Sequence, residues 1–184
     1  MKFKKTKFKD VLLIEPKKIH DSRGYFFESL RIDKLNKCLS KNFVVKQENE
    51  SFSSQNVLRG LHFQRKPFAQ AKLVRVILGK IIDFVVDIRI GSKNYGKTIC
   101  FNLSDENNFQ VFVPEGFAHG FYVLSKKAII NYKVNNYFSK DHDDGISFQN
   151  NLYIKKILKN KKIILSEKDT NLPLLQEAYK GFKF

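Results

Sequence analysis

The sequence predicts an all-β domain, a sandwich or barrel with a few short helices. Residues 82, 84, 86 and 88 are all apolar and alternate with a mixed set that includes Asp83 and Asp87, as in a strand with two different faces. Strand-like segments of this kind recur about every 8–12 residues, which is typical of sandwiches and barrels. Clusters of Gly, Asn, Asp and Pro separate them. The chain of 184 residues therefore reads as one domain, 1–184.

Each element follows from a local pattern. A modest helix is predicted over 32–39, and a mainly apolar strand over 57–64. The β-branched run 73–78 predicts a strand that ends at Gly79-Lys80, and this turn leads directly into 81–88, so the two strands should form a hairpin. Further strands are predicted over 98–103, 110–113, 120–124 and 128–134, separated by turns at 105–108 and 114–116. A short helix is predicted near 174–179.

The charge is strongly basic, with 34 Lys and Arg against 18 Asp and Glu and a net charge of +16. No helix-turn-helix, zinc-finger or RNA-binding signature accompanies it, so a solvated Lys-rich surface is favoured and nucleic-acid binding is the weaker alternative. No apolar run approaches the ~18 residues of a membrane helix, which predicts no membrane partner. Cys38 and Cys100 have no metal or redox spacing, which indicates a cytoplasmic protein with reduced thiols.

Two of the four histidines lie in segments that could carry chemistry. His119 closes the run Pro114-Glu115-Gly116-Phe117-Ala118-His119, which resembles the second motif of the cupin jelly-roll barrels. His62 is followed by Phe63 and Gln64, and no carboxylate occurs between His62 and Asp83, so the metal ligands of the first cupin motif are missing. A cupin-type jelly roll without a metal site is therefore expected. A hydrogen-bonded core histidine remains the simpler reading of either residue taken alone.

Eight short segments in order carry a resemblance to a known family. They are Asp21–Glu28, Gln47–Ser51, Val57–Gln64, Gln70–Val76, Val86–Ser92, Pro114–Phe121, Tyr132-Lys133 and Leu165–Asp169. Through them the chain resembles the dTDP-4-dehydrorhamnose 3,5-epimerases, enzymes of deoxysugar-nucleotide synthesis, from Asp10 to about Leu175. The resemblance implies a dTDP-4-keto-6-deoxy sugar as substrate. A C4 ketone acidifies the C–H bonds at C3 and C5, so no cofactor is required.

The resemblance also implies catalytic roles. His62 would be the base, since imidazole titrates near neutral pH, and Asp169 would orient it. Lys72 would stabilise the enolate oxygen as a nearby cation. Tyr132 would return the proton from the opposite face of the sugar.

Binding positions carry over in the same way. The implied contacts to the sugar nucleotide are Arg23, Glu28, Gln47, Glu48, Asn49, Arg59, His119, Asp143 and Lys168. Phe138, or its neighbour Tyr137, would stack on the thymine. The family also implies a homodimer in which the N-terminal segment near Arg23–Glu28 completes the partner's site. Surface ion pairing and core packing are the plainer readings of Arg23, Glu28 and Phe138.

Two local features qualify this resemblance. Strict alternation puts Arg59 and His62 on opposite faces of a strand, so we predict an irregularity at Gly60 that brings both to one pocket. The chain has no Trp, and Asp143 stands where the family carries a Glu. A single-centre C3 or C5 epimerase, or a keto-isomerase of another 4-keto sugar nucleotide, is therefore the alternative function.

Overall fold

The structure is a computed structural model that describes all 184 residues, and it consists mainly of antiparallel β-strands. The strands are β1 (Lys2–Lys5), β2 (Leu12–Glu15), β3 (Ile19–Asp21), β4 (Gly24–Phe26), β5 (Gln47–Ser54), β6 (Leu58–Gln64), β7 (Lys72–Leu78), β8 (Lys80–Asp87), β9 (Thr98–Ser104), β10 (Gln110–Val113), β11 (Phe117–Val123), β12 (Lys127–Val134) and β13 (Asp143–Gly145). The helices are α1 (Ile32–Asn36), α2 (Leu152–Ile157) and α3 (Glu167–Thr170). No helix has the length and apolar character needed to cross a membrane.

Two sheets face each other. The six-stranded sheet has the order β1-β2-β10-β7-β12-β5, and the five-stranded sheet has the order β13-β6-β11-β8-β9. Strands β3 and β4 form a separate hairpin. The prediction of an all-β sandwich with a few short helices is confirmed.

Apolar side chains fill the space between the sheets. Val74, Val76 and Ile130 from the six-stranded sheet pack with Val85 and Phe121 from the five-stranded sheet in one buried cluster. Burying each side chain of this size contributes about 1.5–3 kcal/mol, so this cluster holds the two sheets together.

The outer faces of the two sheets are covered separately. The C-terminal segment and α2 cover the five-stranded sheet, with Phe84, Ile154 and Phe182 in one cluster. Helix α1 covers part of the six-stranded sheet through Leu35, which packs near Phe112. Strand β8 is therefore buried on both faces.

The predicted hairpin between 73–78 and 81–88 is wrong. Strand β7 pairs with β10 and β12, whereas β8 pairs with β11 and β9 in the other sheet. The turn passes the chain between sheets because its amides bond to other loops: Gly79 N–H donates to Asp105 (2.8 Å) and Lys80 N–H to Ser125 Oγ (2.8 Å). Gly79 adopts φ +84°, and a Cβ there would lie 2.2 Å from the Lys127 carbonyl oxygen.

The helix predictions were partly right. The helix predicted over 32–39 forms but ends at Asn36, whose side-chain Oδ1 accepts a hydrogen bond from Phe43 N–H (2.8 Å). The helix predicted near 174–179 is a single turn, in which the Leu174 carbonyl accepts from Glu177 and Ala178. Helices α2 and α3 were not predicted.

Candidate active site

A polar zone interrupts the apolar packing between the sheets. In a strand every second side chain points to the same face, so one face of each central strand lines this inter-sheet space. The inward polar residues of the six-stranded sheet are Gln47, Asn49, Ser51 and Ser53 on β5, Lys72 on β7 and Tyr132 on β12. Those of the five-stranded sheet are Arg59 and His62 on β6, Asp83 on β8 and His119 on β11.

The predicted irregularity at Gly60 is present. Against β11, His62 pairs with His119 and Arg59 pairs with Phe121, so three steps on β6 oppose two on β11. Gly60 adopts φ +113°, and a Cβ there would lie 2.7 Å from Gly120 Cα. The bulge therefore turns both Arg59 and His62 toward the inter-sheet space.

His62 and Asp169 are in direct contact although 107 positions separate them. The His62 Nε2 atom lies 2.5 Å from Asp169 Oδ1, and the Gly60 N–H donates to Asp169 Oδ2 at 3.3 Å. Ser166 caps α3 by accepting from the Asp169 N–H (3.1 Å). Burial alone would raise the pKa of Asp169, but the hydrogen bond and charge of His62, together with the hydrogen bonds of Gly60 and Ser166, hold that pKa below its ordinary value.

Lys72 and Tyr132 come from the sheet opposite His62. The Lys72 Nζ atom lies 3.5 Å from the His62 carbonyl oxygen, and burial lowers the pKa of Lys72 to about 8. Burial also raises the pKa of the Tyr132 phenol, against a smaller lowering by Arg59. Tyr132 therefore stays protonated at neutral pH, and Lys72 loses its proton at a lower pH than an exposed lysine does.

A second histidine–carboxylate pair lies beside the first. The His119 Nε2 atom is 2.6 Å from Oδ2 of Asp83, and both residues are buried. The sequence analysis singled out His119 but not Asp83. An acidic residue between the apolar residues Ile82 and Phe84 was the signal that could have identified it.

The loop after β12 borders the site. Gln47 Oε1 accepts from Phe138 N–H (2.8 Å), and Gln47 Nε2 donates to Asn49 (2.8 Å). Gln64 anchors the same loop by donating to the Tyr137 carbonyl (3.0 Å). Tyr137 and Phe138 remain 60% and 56% exposed as residues, so either can stack on a planar ligand.

Arg59, Asp143 and Lys168 also belong to this region. Arg59 donates to Ser53 Oγ (2.9 Å) and to the Phe52 carbonyl (3.0 Å). Lys168, next to Asp169 on α3, forms an ion pair with Asp143 at the start of β13. The charge of Asp143 acts on the pKa of both Lys72 and Tyr132, which places its carboxylate near them.

Three of the predicted contacts are not brought to this zone within one chain. Glu48 points to the outer face of its sheet, where it bonds Lys133 (2.7 Å). Arg23 is exposed beside Asp21 (2.6 Å), and Glu28 pairs with Arg31 (3.1 Å). Their role in binding stays a prediction.

A base held by a carboxylate on one sheet, facing an ammonium and a phenol on the other, suits proton transfer at carbon next to a carbonyl. The fold and site thus define an acid–base isomerase on a β-sandwich. The profile of the family described as dTDP-4-dehydrorhamnose 3,5-epimerase matches residues 5–177, and the chain belongs to this family.

Individual relatives are similar over nearly the whole chain. The dTDP-4-dehydrorhamnose 3,5-epimerase of Shigella flexneri is 44% identical over 168 residues, 91% of this chain and 92% of that protein. The crystal structure of the enzyme of that name from Elizabethkingia anophelis has a TM-score of 0.91 at 42% identity, covering 97% of this chain and 99% of its own. The dTDP-6-deoxy-D-glucose-3,5-epimerase of Legionella pneumophila, solved in complex with dTDP-4-keto-L-rhamnose, has a TM-score of 0.90 at 37% identity, covering 97% and 94%.

Proposed function

We propose that this chain converts dTDP-4-dehydro-6-deoxy-D-glucose into dTDP-4-dehydro-L-rhamnose by epimerisation at C3 and C5, in dTDP-L-rhamnose biosynthesis. The observation that carries the proposal is the opposition of two sheets: His62 and Asp169 stand on one side, and Lys72 and Tyr132 on the other. A sugar ring between them would have a base on one face and an acid on the opposite face.

His62 removes the proton. Its Nε2 atom is engaged by Asp169 at 2.5 Å, so Nδ1 is the nitrogen left to act on the substrate. As His62 gains a proton, the buried carboxylate of Asp169 balances the new charge. A positioned base and its partner contribute about 10²–10⁴-fold to such a step.

Lys72 and Tyr132 complete the reaction. Removing the proton from C3 or C5 places negative charge on the C4 oxygen, which the Lys72 ammonium stabilises. The Tyr132 phenol, kept protonated by its raised pKa, then donates a proton to the carbon from the opposite face. Solvent then takes the proton from His62 and returns one to Tyr132, after which the same two steps at the second carbon give the doubly inverted sugar.

The remaining predicted residues bind the nucleotide sugar. Arg59 and Lys168 supply cations for the diphosphate, because charge-assisted bonds to phosphate are short and strong. Phe138 or Tyr137 stacks on the thymine. The inward amides of Gln47 and Asn49 take polar groups of the ligand, and so does the carboxylate of Asp143.

The functional unit in this proposal is a homodimer in the cytoplasm. The β3–β4 hairpin supports it, because Tyr25 and Phe26 on this hairpin are 53% and 66% exposed within one chain. Arg23 and Glu28 on and after the hairpin then reach the partner's site, and Glu48 is the third residue that a second subunit can use. Cys38 and Cys100 are free thiols, as a reducing compartment requires.

Proton exchange in D₂O tests the function directly. The protein is mixed with dTDP-4-dehydro-6-deoxy-D-glucose and no other enzyme, and deuterium at C3 and C5 is followed by NMR. We expect label at both carbons and loss of both in His62→Ala. Label at one carbon only would replace the proposal with a single-centre epimerase, and label at neither would reject this substrate.

A further inference from the structure

Asp83 is a buried carboxylate that the mechanism above does not use. It is fully buried on β8, between Ile82 and Phe84, and its side chain points into the inter-sheet space. Its Oδ2 atom lies 2.6 Å from His119 Nε2, and its Oδ1 atom has no hydrogen-bond partner. A buried carboxylate with one partner is costly to the fold, so its presence calls for an explanation.

The two histidine–carboxylate pairs are built alike. His119 and His62 are directly opposite residues in the β11–β6 pairing, so their side chains leave the same face of the sheet about 5 Å apart. Each histidine gives Nε2 to a carboxylate, Asp83 or Asp169. A ligand carbon that lies against the His62 base therefore also places its neighbouring groups against His119.

A carboxylate bond at one ring nitrogen decides what the other nitrogen can do. Asp83 accepts the Nε2–H of His119, so in the neutral imidazole Nδ1 carries a lone pair and accepts hydrogen bonds. Such an acceptor suits a hydroxyl group and repels a phosphate oxygen, which has no proton to donate.

We propose that Asp83 is a positioning residue that holds His119 in the tautomer with Nδ1 unprotonated, so that His119 binds a hydroxyl group of the sugar. This inference rests on the proposed function for the identity of the ligand as a sugar nucleotide. It gives His119 a part in selecting the sugar and not the nucleotide.

The test compares two ligands on two variants. Calorimetry measures the Kd of dTDP, which lacks the hexose, and of dTDP-glucose, a stable sugar nucleotide whose hexose carries hydroxyl groups. Asp83→Asn should bind dTDP-glucose about tenfold more weakly, as expected for one lost hydrogen bond, and dTDP as well as the unmodified protein does. Asp87→Asn is the matched control, because Asp87 is equally buried on the same face of β8 but bonds Arg89 (2.7 Å) and Ser92.

Other outcomes overturn the inference. If Asp83→Asn bound both ligands equally more weakly, the role of Asp83 would be merely structural. If it bound dTDP-glucose as tightly as the unmodified protein does, Asp83 would have no role in binding. The ¹⁵N imidazole spectrum of the free, unmodified protein should show His119 protonated at Nε2. In the Asp83→Asn variant the tautomer equilibrium should shift toward protonation at Nδ1. An Nδ1–H tautomer of His119 in the unmodified protein would also reject the inference. If Asp83→Asn does not fold, His119→Ala should give the same selective loss for dTDP-glucose.

Failure of the proposed function looks different. If the unmodified protein binds neither dTDP nor dTDP-glucose, the substrate class is wrong. The imidazole spectrum, which needs no ligand, then still decides whether Asp83 sets the tautomer of His119.

Discussion

The carboxylate of Asp169 joins His62 to the bulge at Gly60, since its Oδ2 atom accepts from the Gly60 N–H (3.3 Å) while its Oδ1 atom lies 2.5 Å from His62 Nε2. The bulge that turns His62 inward is thus fastened to the residue that orients the imidazole. Helix α3 supplies this carboxylate, and Ser166 fixes the first turn of the helix.

Replacing Asp169 by Asn should slow the exchange at both C3 and C5 by about 10²–10⁴-fold, because the amide neither balances the imidazolium nor fixes its tautomer. NMR in D₂O measures both rates. Asp144→Asn is the control, since Asp144 lies 3.6 Å from Arg65 on the neighbouring loop and not at His62. Exchange within threefold of the unmodified rate would contradict the assignment of Asp169.

Tyr132→Phe should separate exchange from inversion. His62 still removes a proton and can return one to the same face, so deuterium enters the substrate, but no acid remains on the other face to complete the epimerisation. NMR then shows labelled starting material without inverted product. Tyr122→Phe is the control, because the Tyr122 hydroxyl is bonded to Asn56 (2.7 Å) away from the site. If Tyr132→Phe formed the inverted product at the normal rate, Tyr132 would not be the acid.

The rate should fall at alkaline pH because Lys72 loses its charge. Burial lowers the pKa of Lys72 to about 8, so kcat/KM is expected to drop as the pH rises through this value. Lys72→Arg keeps a cation and should move the alkaline limb upward, whereas Lys72→Met should be slow at every pH. If kcat/KM of Lys72→Arg fell at the same alkaline pH as that of the unmodified protein, the titrating group would not be Lys72.

The buried amine of Lys72 also affects how the free energy of unfolding depends on pH. The folded-state pKa of Lys72 lies below its ordinary value of 10.5, so the unfolded chain binds more protons between about pH 8 and 10.5. The contribution of Lys72 to the free energy of unfolding therefore rises with pH over this interval. Urea unfolding of Lys72→Met should lack that rise.

Gly60→Ala should destabilise the fold more than a comparable substitution elsewhere. The positive φ costs an alanine about 1 kcal/mol, and the Cβ would also lie 2.7 Å from Gly120 Cα, which adds about 1–3 kcal/mol. Gly91→Ala isolates the first effect, because Gly91 has φ +87° with no atom near its Cβ position. Urea unfolding compares the two, and equal losses would show that the bulge tolerates a side chain.

Mixed dimers test the contribution of Arg23 to the neighbouring site. His62→Asn and Arg23→Ala are each expected to be nearly inactive alone. A hybrid of the two has one intact site, so random exchange of subunits should restore about a quarter of the activity. Mixing His62→Asn with Asp169→Asn should restore none, since both residues serve the site of their own chain. No recovery in the first mixture, with hybrids verified by tag pull-down, would place Arg23 outside the partner's site.

The β-branched and alternating segments at the centre of the sheets were predictable from sequence, whereas the polar strand β5 was not. Residues 81–88 and 128–134 show β-branched and alternating patterns, and both form strands close to the predicted bounds. Strand β5 was missed because its inward positions are Gln47, Asn49, Ser51 and Ser53, which read as a loop. The same polar side chains that gave β5 the pattern of a loop line the site between the sheets.

Long-range pairings lay outside the reach of local patterns. Nothing in the spacing of His62 and Asp169 indicates a contact, and only the resemblance to a family implied one. The Gly79-Lys80 turn has hairpin chemistry, but its amides bond distant loops, so the strands separate. The α3 helix did have a local signal, since Ser166 followed by Asp169 three residues later is a capping pattern.

His62 and Tyr132, the proposed base and acid, belong to different sheets, and the apolar side chains of the inter-sheet cluster hold those sheets at a fixed separation. Protein cores are close-packed and resist compression, so the distance between the two sheets is fixed. In the proposed reaction, this distance sets the space available to the sugar ring. Val85, which faces the other sheet, acts in this sense as a spacer for chemistry that it never touches. Truncating such a spacer would leave a cavity in the layer that separates the His62 imidazole from the Tyr132 phenol.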